Sequence, residues 1–82
     1  MNISKEIPSD LKFIPEFIRE FIEEISKLPF DKEQIHDIKL STEEALVNAI
    51  KHGNGSDSRL KVQISAETNA DSLTVTVADQ GK

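Results

Sequence analysis

Apolar residues set the rhythm of this chain, and the rhythm changes past its middle. From Leu11 they recur at helical spacing, at Phe13, Ile14, Phe17, Ile18, Phe21, Ile22 and Ile25, which predicts a helix with one strongly apolar face. Pro15 lies inside that pattern. A proline removes a backbone donor but suits a first helical turn, so the regular helix is expected to begin at about Pro15, with Ser9 or Asp10 available as a cap. Leu28, Pro29 and Phe30 close it, and Asp31 followed three residues later by Gln34 predicts a capping box opening a second helix. No Gly or Pro intervenes before His52, so this second helix should run for about 20 residues, or about 30 Å. At about 100° per residue, Ile35, Ile38, Ala45, Leu46, Ala49 and Ile50 form its apolar arc. Glu44 falls opposite the arc, while Asn48 and His52 rotate back towards its border. Ala45 and Ala49 are small enough to let the helix lie close to a sheet or a ligand.

Gly53 is placed to take a left-handed C-terminal cap, and residues 54 to 58 read as a polar turn. The period then falls to two. Leu60, Val62, Ile64 and Ala66 alternate with polar residues as one half-buried strand, and Leu73, Val75 and Val77 as another, with a turn over residues 68 to 71 making them an antiparallel pair. Near the start, Ile3 and Ile7 with Pro8 after them allow an edge strand over residues 2 to 8. Two helices and two or three strands with one apolar sheet face predict a single α+β domain over residues 1 to 82: a two-layer sandwich, its helices on one face of a mixed or antiparallel sheet. A sheet this small leaves an unpaired edge.

Composition narrows the function classes. At 82 residues such a chain buries only about 60% of its unfolded surface, so marginal stability is expected. The absence of cysteine excludes disulfides and thiolate metal sites. With 15 Asp and Glu against 10 Lys and Arg and no basic run, nucleic acid is not an expected partner. The opening residues lack the layout of a secretory signal, and no apolar run approaches the roughly 20 residues of a membrane helix, so a soluble cytoplasmic protein is expected. The Phe-rich stripe of the first helix is read as core. Its polar side carries Glu16, Glu20, Glu23 and Glu24, which anionic lipid would repel.

Glu44, Asn48 and His52 stand at successive i,i+4 positions, immediately before the Gly-Asn-Gly break. Carboxylate, carboxamide and imidazole along one side of a helix are the raw material of a site, and equally an ordinary solvated face. A second motif decides between these. The segment Glu44-Ala45-Leu46-Val47-Asn48-Ala49-Ile50-Lys51-His52-Gly53, followed one hairpin later by Val77-Ala78-Asp79-Gln80-Gly81, resembles the N-box and first glycine box of the Bergerat-fold (GHKL) ATPase superfamily. Within it the pattern looks most like the small cytosolic anti-sigma-factor serine kinases.

The resemblance implies ATP and Mg2+ as ligands. It implies Glu44 as the base for a nucleophile attacking the γ-phosphate, and Asn48 as the oxygen ligand of magnesium, which needs few protein ligands beside phosphates and water. Asp79 would accept from the adenine amino group, Gly81 would let the backbone approach the base, and His52 would either contact phosphate or finish the helix. Implied partners are a sigma factor and an antagonist protein phosphorylated on serine, and a homodimer is left open. The resemblance covers the first half of such a domain. The second glycine expected just after Lys82, the ATP lid, the later glycine-rich box and the remaining strands are not in the chain. The catalytic helix is therefore expected here without the phosphate-gripping lid. Two alternatives are the ATPase domain of a sensor histidine kinase and a non-catalytic binding module of the same fold, for which Leu40 and Val47, off the main apolar arc, would supply the contact.

Overall fold

The computed structural model describes residues 2–69 and 72–80. Three strands form one antiparallel sheet in the order β1 (Asn2–Pro8), β2 (Lys61–Thr68), β3 (Leu73–Asp79). β2 is central because its inward residues Val62, Ile64 and Ala66 are buried, while Lys61, Gln63, Ser65 and Glu67 point the other way. The register aligns Ile7 with Val62 and Lys5 with Ile64 on one side, and Ile64 with Val77 and Val62 with Asp79 on the other. The expectation of a mixed or antiparallel sheet resolves to antiparallel, with β1 as the edge strand anticipated from Ile3, Ile7 and Pro8.

Both helices cover the apolar face. Helix α1 (Ile14–Ile25) follows a 3₁₀ turn at Leu11–Phe13, which Asp10 caps by accepting from the Lys12 N–H at 3.0 Å. Pro15 sits in its first turn, where no intrahelical donor is lost. Ile14, Phe17, Ile18, Phe21 and Ile25 are buried, and the Phe17 and Phe21 rings stack with centroids 5.6 Å apart. Lys5 breaks the inward apolar pattern of β1. Its stem crosses the Phe17 ring, 5.9 Å from Nζ to the centroid, and its ammonium reaches Glu20 of α1 at 2.7 Å, so the charge stays in water while the strand keeps its register.

Helix α2 (Lys32–Asn48) opens on the expected capping box: the Gln34 N–H donates to Asp31 Oδ1 at 2.8 Å and the Asp31 N–H to Gln34 Oε1 at 2.9 Å. The ending differs from expectation. The α-helix stops at Asn48, and a π-helical turn, Ala49–Gly53, completes the rod, closed by the Asn54 N–H donating to the Ala49 carbonyl at 2.8 Å. The left-handed residues are Gly55 and Ser56, at φ 61° and 58°, rather than Gly53. The Ser56 N–H then reaches back to the Ile50 carbonyl at 2.7 Å, so the chain reverses two residues later than a cap at Gly53 would have it. Leu46, Ala49 and Ile50 bury into the core, whereas Ile35 and Ile38 are only half-buried and Leu40 remains 52% exposed. The result is a two-layer α+β arrangement.

Candidate functional site

The sequence-derived site residues belong to two elements that end at the same place. Glu44 lies in the last turn and a half of α2, Asn48 is its final residue, and both are exposed. Four residues apart on a regular helix, their Cβ atoms are neighbours at about 5–6 Å. His52 is also exposed and sits within the π turn that follows α2. Glu44 and Asn48 thus share the end of the α-helix, and His52 lies in the π turn just beyond it.

Asp79 reaches this helix end by strand periodicity. Leu73, Val75, Val77 and Asp79 alternate on one face of β3, and the pairing of Asp79 with Val62 puts its side chain on the helix-facing side of the sheet. A carboxylate therefore stands where the pattern would otherwise carry a fourth apolar residue. It fits because Gly53 has no side chain: a Cβ built on Gly53 would collide with Oδ2 and Cγ of Asp79. Gly53 acts as a slot for the aspartate, and a close approach rather than a left-handed backbone explains the glycine. Gly81, the remaining residue implied by the resemblance, lies outside the described residues.

Between α2 and β3 runs an open groove of about 430 Å³, lined by Asp37, Ile38, Ser41, Thr42 and Ala45 on one wall and by Leu73, Val75 and Val77 on the other. Continuing along each wall, the next residues of the same stripe are Asn48 on α2 and Asp79 on β3. The groove is mainly apolar, and its end is marked by an amide and a carboxylate. Ala45 is the small residue that leaves this space open, whereas Ala49, the other small residue of the helix, is buried. Among the described residues, no group of three or more His, Asp or Glu side chains is arranged to hold a metal ion. A divalent cation at Asn48 would therefore take most of its ligands from water and from a bound phosphate.

Two features escaped sequence reasoning. Asn54, which the sequence pattern places in a polar turn, is fully buried, at 0% exposure. Gln80, to which the sequence pattern assigns no role, accepts the Lys61 N–H on its Oε1 at 2.6 Å and donates its own N–H to Asn54 Oδ1 at 2.9 Å. The only signal for Asn54 was its place between two glycines, which marks a special backbone without saying where the side chain goes. No helix among the described residues is long and apolar enough to cross a membrane.

Comparison with known proteins bears on the same elements. The family model for the histidine kinase-like ATPase domain matches residues 7–82, which takes in both helices, the Gly53 slot and the strand that carries Asp79. A search of curated proteins finds no match. With that match covering nearly the whole chain, and a two-layer α+β structure carrying the N-box helix beside the aspartate strand, the chain belongs to the histidine kinase-like (GHKL) ATPase family.

Proposed function

We propose that this chain is the nucleotide-binding part of an ATP-dependent serine/threonine-protein kinase acting as an anti-sigma factor, one that transfers the γ-phosphoryl group of ATP to a serine of an antagonist protein and so switches partners. The observation that carries the site is the seating of Asp79 against Gly53, at the end of the same helix that presents Glu44 and Asn48. A carboxylate acceptor beside a side-chain-free backbone suits the adenine amino group. Guanine carries a carbonyl at that position and would be repelled. An amide oxygen and a carboxylate one helical turn apart suit the phosphate end: Asn48 as the protein ligand of Mg2+, and Glu44 as the base that takes the proton of the attacking serine hydroxyl. When bound, the magnesium ion would neutralise charge on the transferring phosphoryl group. His52, in the turn beyond α2, is given no role in transfer.

The serine-kinase assignment, with a sigma factor and an antagonist as partners, rests on the resemblance of residues 44–53 and 77–81, and within it on the carboxylate four residues before Asn48. It is tested on the longest natural form of the protein. Titration with Mg-ATP should give saturable binding that Asp79→Asn abolishes or weakens strongly, and Glu44→Ala should stop phosphoryl transfer while leaving ATP bound. Binding indifferent to Asp79→Asn, or transfer surviving Glu44→Ala, refutes the residue roles. Capture of a sigma factor that depends on the bound nucleotide is expected. Capture equally strong with and without nucleotide would favour the second reading, a non-catalytic interaction module, for which the exposed Leu40 on α2 is the supporting observation.

A further inference from the structure

Asn54 has a side chain with two donors and one two-lone-pair acceptor, and it is completely buried. Burying an amide without partners costs more than a typical hydrogen bond returns, so its contacts show what it is for. Its Nδ2 donates to Ser9 Oγ and, at 2.9 Å, to the Lys61 carbonyl, while its Oδ1 accepts the Gln80 N–H at 2.9 Å. Ser9 follows β1, Lys61 opens β2 and Gln80 follows β3, so a single amide joins the same end of all three strands to the loop that leaves α2. The loop is closed a second time by the Ser9 N–H donating to the Leu60 carbonyl at 3.1 Å.

A structural clasp would need no particular relation to the nucleotide residues, yet this one has one. Gly53 admits the carboxylate of Asp79, and Asn54, the next residue, holds the backbone N–H of Gln80, the residue after Asp79. The described β2–β3 pairing ends at the Val62–Asp79 pair, and at the next residue, Gln80, side-chain hydrogen bonds take over among the described residues. The side chains are those of Asn54, which accepts from the Gln80 N–H, and of Gln80 itself, which accepts from the Lys61 N–H.

We infer that Asn54 is a positioning residue of the nucleotide site. By gripping the Gln80 N–H it sets where the Asp79 carboxylate stands relative to the end of α2, and hence the adenine selectivity of the site. This inference rests on the reading of Asp79 given above and assigns Asn54 no contact with the nucleotide.

The test compares ATP and GTP binding by calorimetry in the longest natural form of the protein, with hydrogen exchange at the Gln80 amide as an independent readout. In Asn54→Ala the Gln80 amide should lose its protection, and the preference for ATP over GTP should fall by roughly tenfold, the effect of one lost or misplaced hydrogen bond. Ile25→Val, a core change at the far end of α1, serves as the control: it should lower stability and leave the ATP-to-GTP ratio unchanged, because a merely structural loss weakens both nucleotides alike. If Asn54→Ala does not fold, Gln80→Pro removes the same N–H at an exposed position and should lower the ratio in the same way. A folded variant with an unchanged ratio, or with a Gln80 amide as protected as in the unmodified protein, overturns the positioning role. Failure of the Asp79 reading is distinguishable. In that case Asp79→Asn leaves the ATP preference intact while the Gln80 amide still responds to Asn54→Ala, and the role in selectivity falls with the reading on which it rests.

Discussion

Gly53→Ala separates the stability of the fold from the geometry of the site. The substitution adds one methyl group, placed where Oδ2 and Cγ of Asp79 now lie. Two effects on stability oppose each other. Alanine in a helical turn is favoured over glycine by up to about 1 kcal/mol. Asp79 must turn away, an off-rotamer torsion costing about 0.5–1.5 kcal/mol, and its Cβ, 3.0 Å from the added methyl and unmoved by that rotation, must also give slightly. The balance should lie within about 1 kcal/mol of zero, so thermal unfolding should show a small shift of either sign. Nucleotide binding should respond much more strongly. A hydrogen bond to a charged group is worth about 1.5–3 kcal/mol, so a carboxylate moved out of reach of adenine should cost roughly ten- to 150-fold in ATP affinity. Calorimetric titration of ATP and a thermal melt on the same sample provide both numbers. Unchanged ATP affinity would refute the slot. A stability loss above about 3 kcal/mol would refute the assumption that the aspartate can rotate, because the helix end and β3 would then have to part.

Three further outcomes follow from the packing. Ile50→Ala empties a fully buried position at the junction of α2 and the sheet and should cost about 2–5 kcal/mol in chemical denaturation, with a value under about 1 kcal/mol contradicting its place in the core. Asp31→Ala removes the capping box and should cost about 1 kcal/mol, visible as a lowered denaturation midpoint at constant slope. The hydrogen bond from Lys5, reinforced by its charge, holds the Glu20 carboxyl below the usual glutamate range. Because the folded pKa is the lower one, the stabilisation is present above the ordinary glutamate pKa and is lost as pH falls through the folded value. The melting-temperature difference between the unmodified protein and Lys5→Met should therefore be small, shrink on acidification and shrink in high salt, since both partners are exposed. A difference that grows as pH falls would sink the account.

The elements themselves were legible in the chain because each depends on local chemistry. The period of α1, the late start forced by Pro15, the Asp31–Gln34 box and the alternation of β2 and β3 all state short-range requirements, and the structure meets them. Asp79 was also legible as a candidate, through its motif. Its seat was not: only the antiparallel register, which places it opposite Val62, brings the carboxylate to the helix-facing side of the sheet and onto Gly53. The same glycine read locally as a left-handed cap, because a residue's neighbours in sequence cannot show that a strand 26 residues later needs the space of its missing Cβ. Asn54 is the clearest case. Between two glycines it looks like a solvated turn residue, and it becomes the buried clasp of three strand ends only because those ends converge on it. The sequence by itself determined the periodic elements, the acidic charge balance and the identity of Glu44, Asn48 and Asp79 as candidates. The tertiary structure decided that Asp79 seats on Gly53 at the end of the helix and brought in Asn54 and Gln80, because hydrogen bonds and excluded volume between distant segments exist only once the chain has closed.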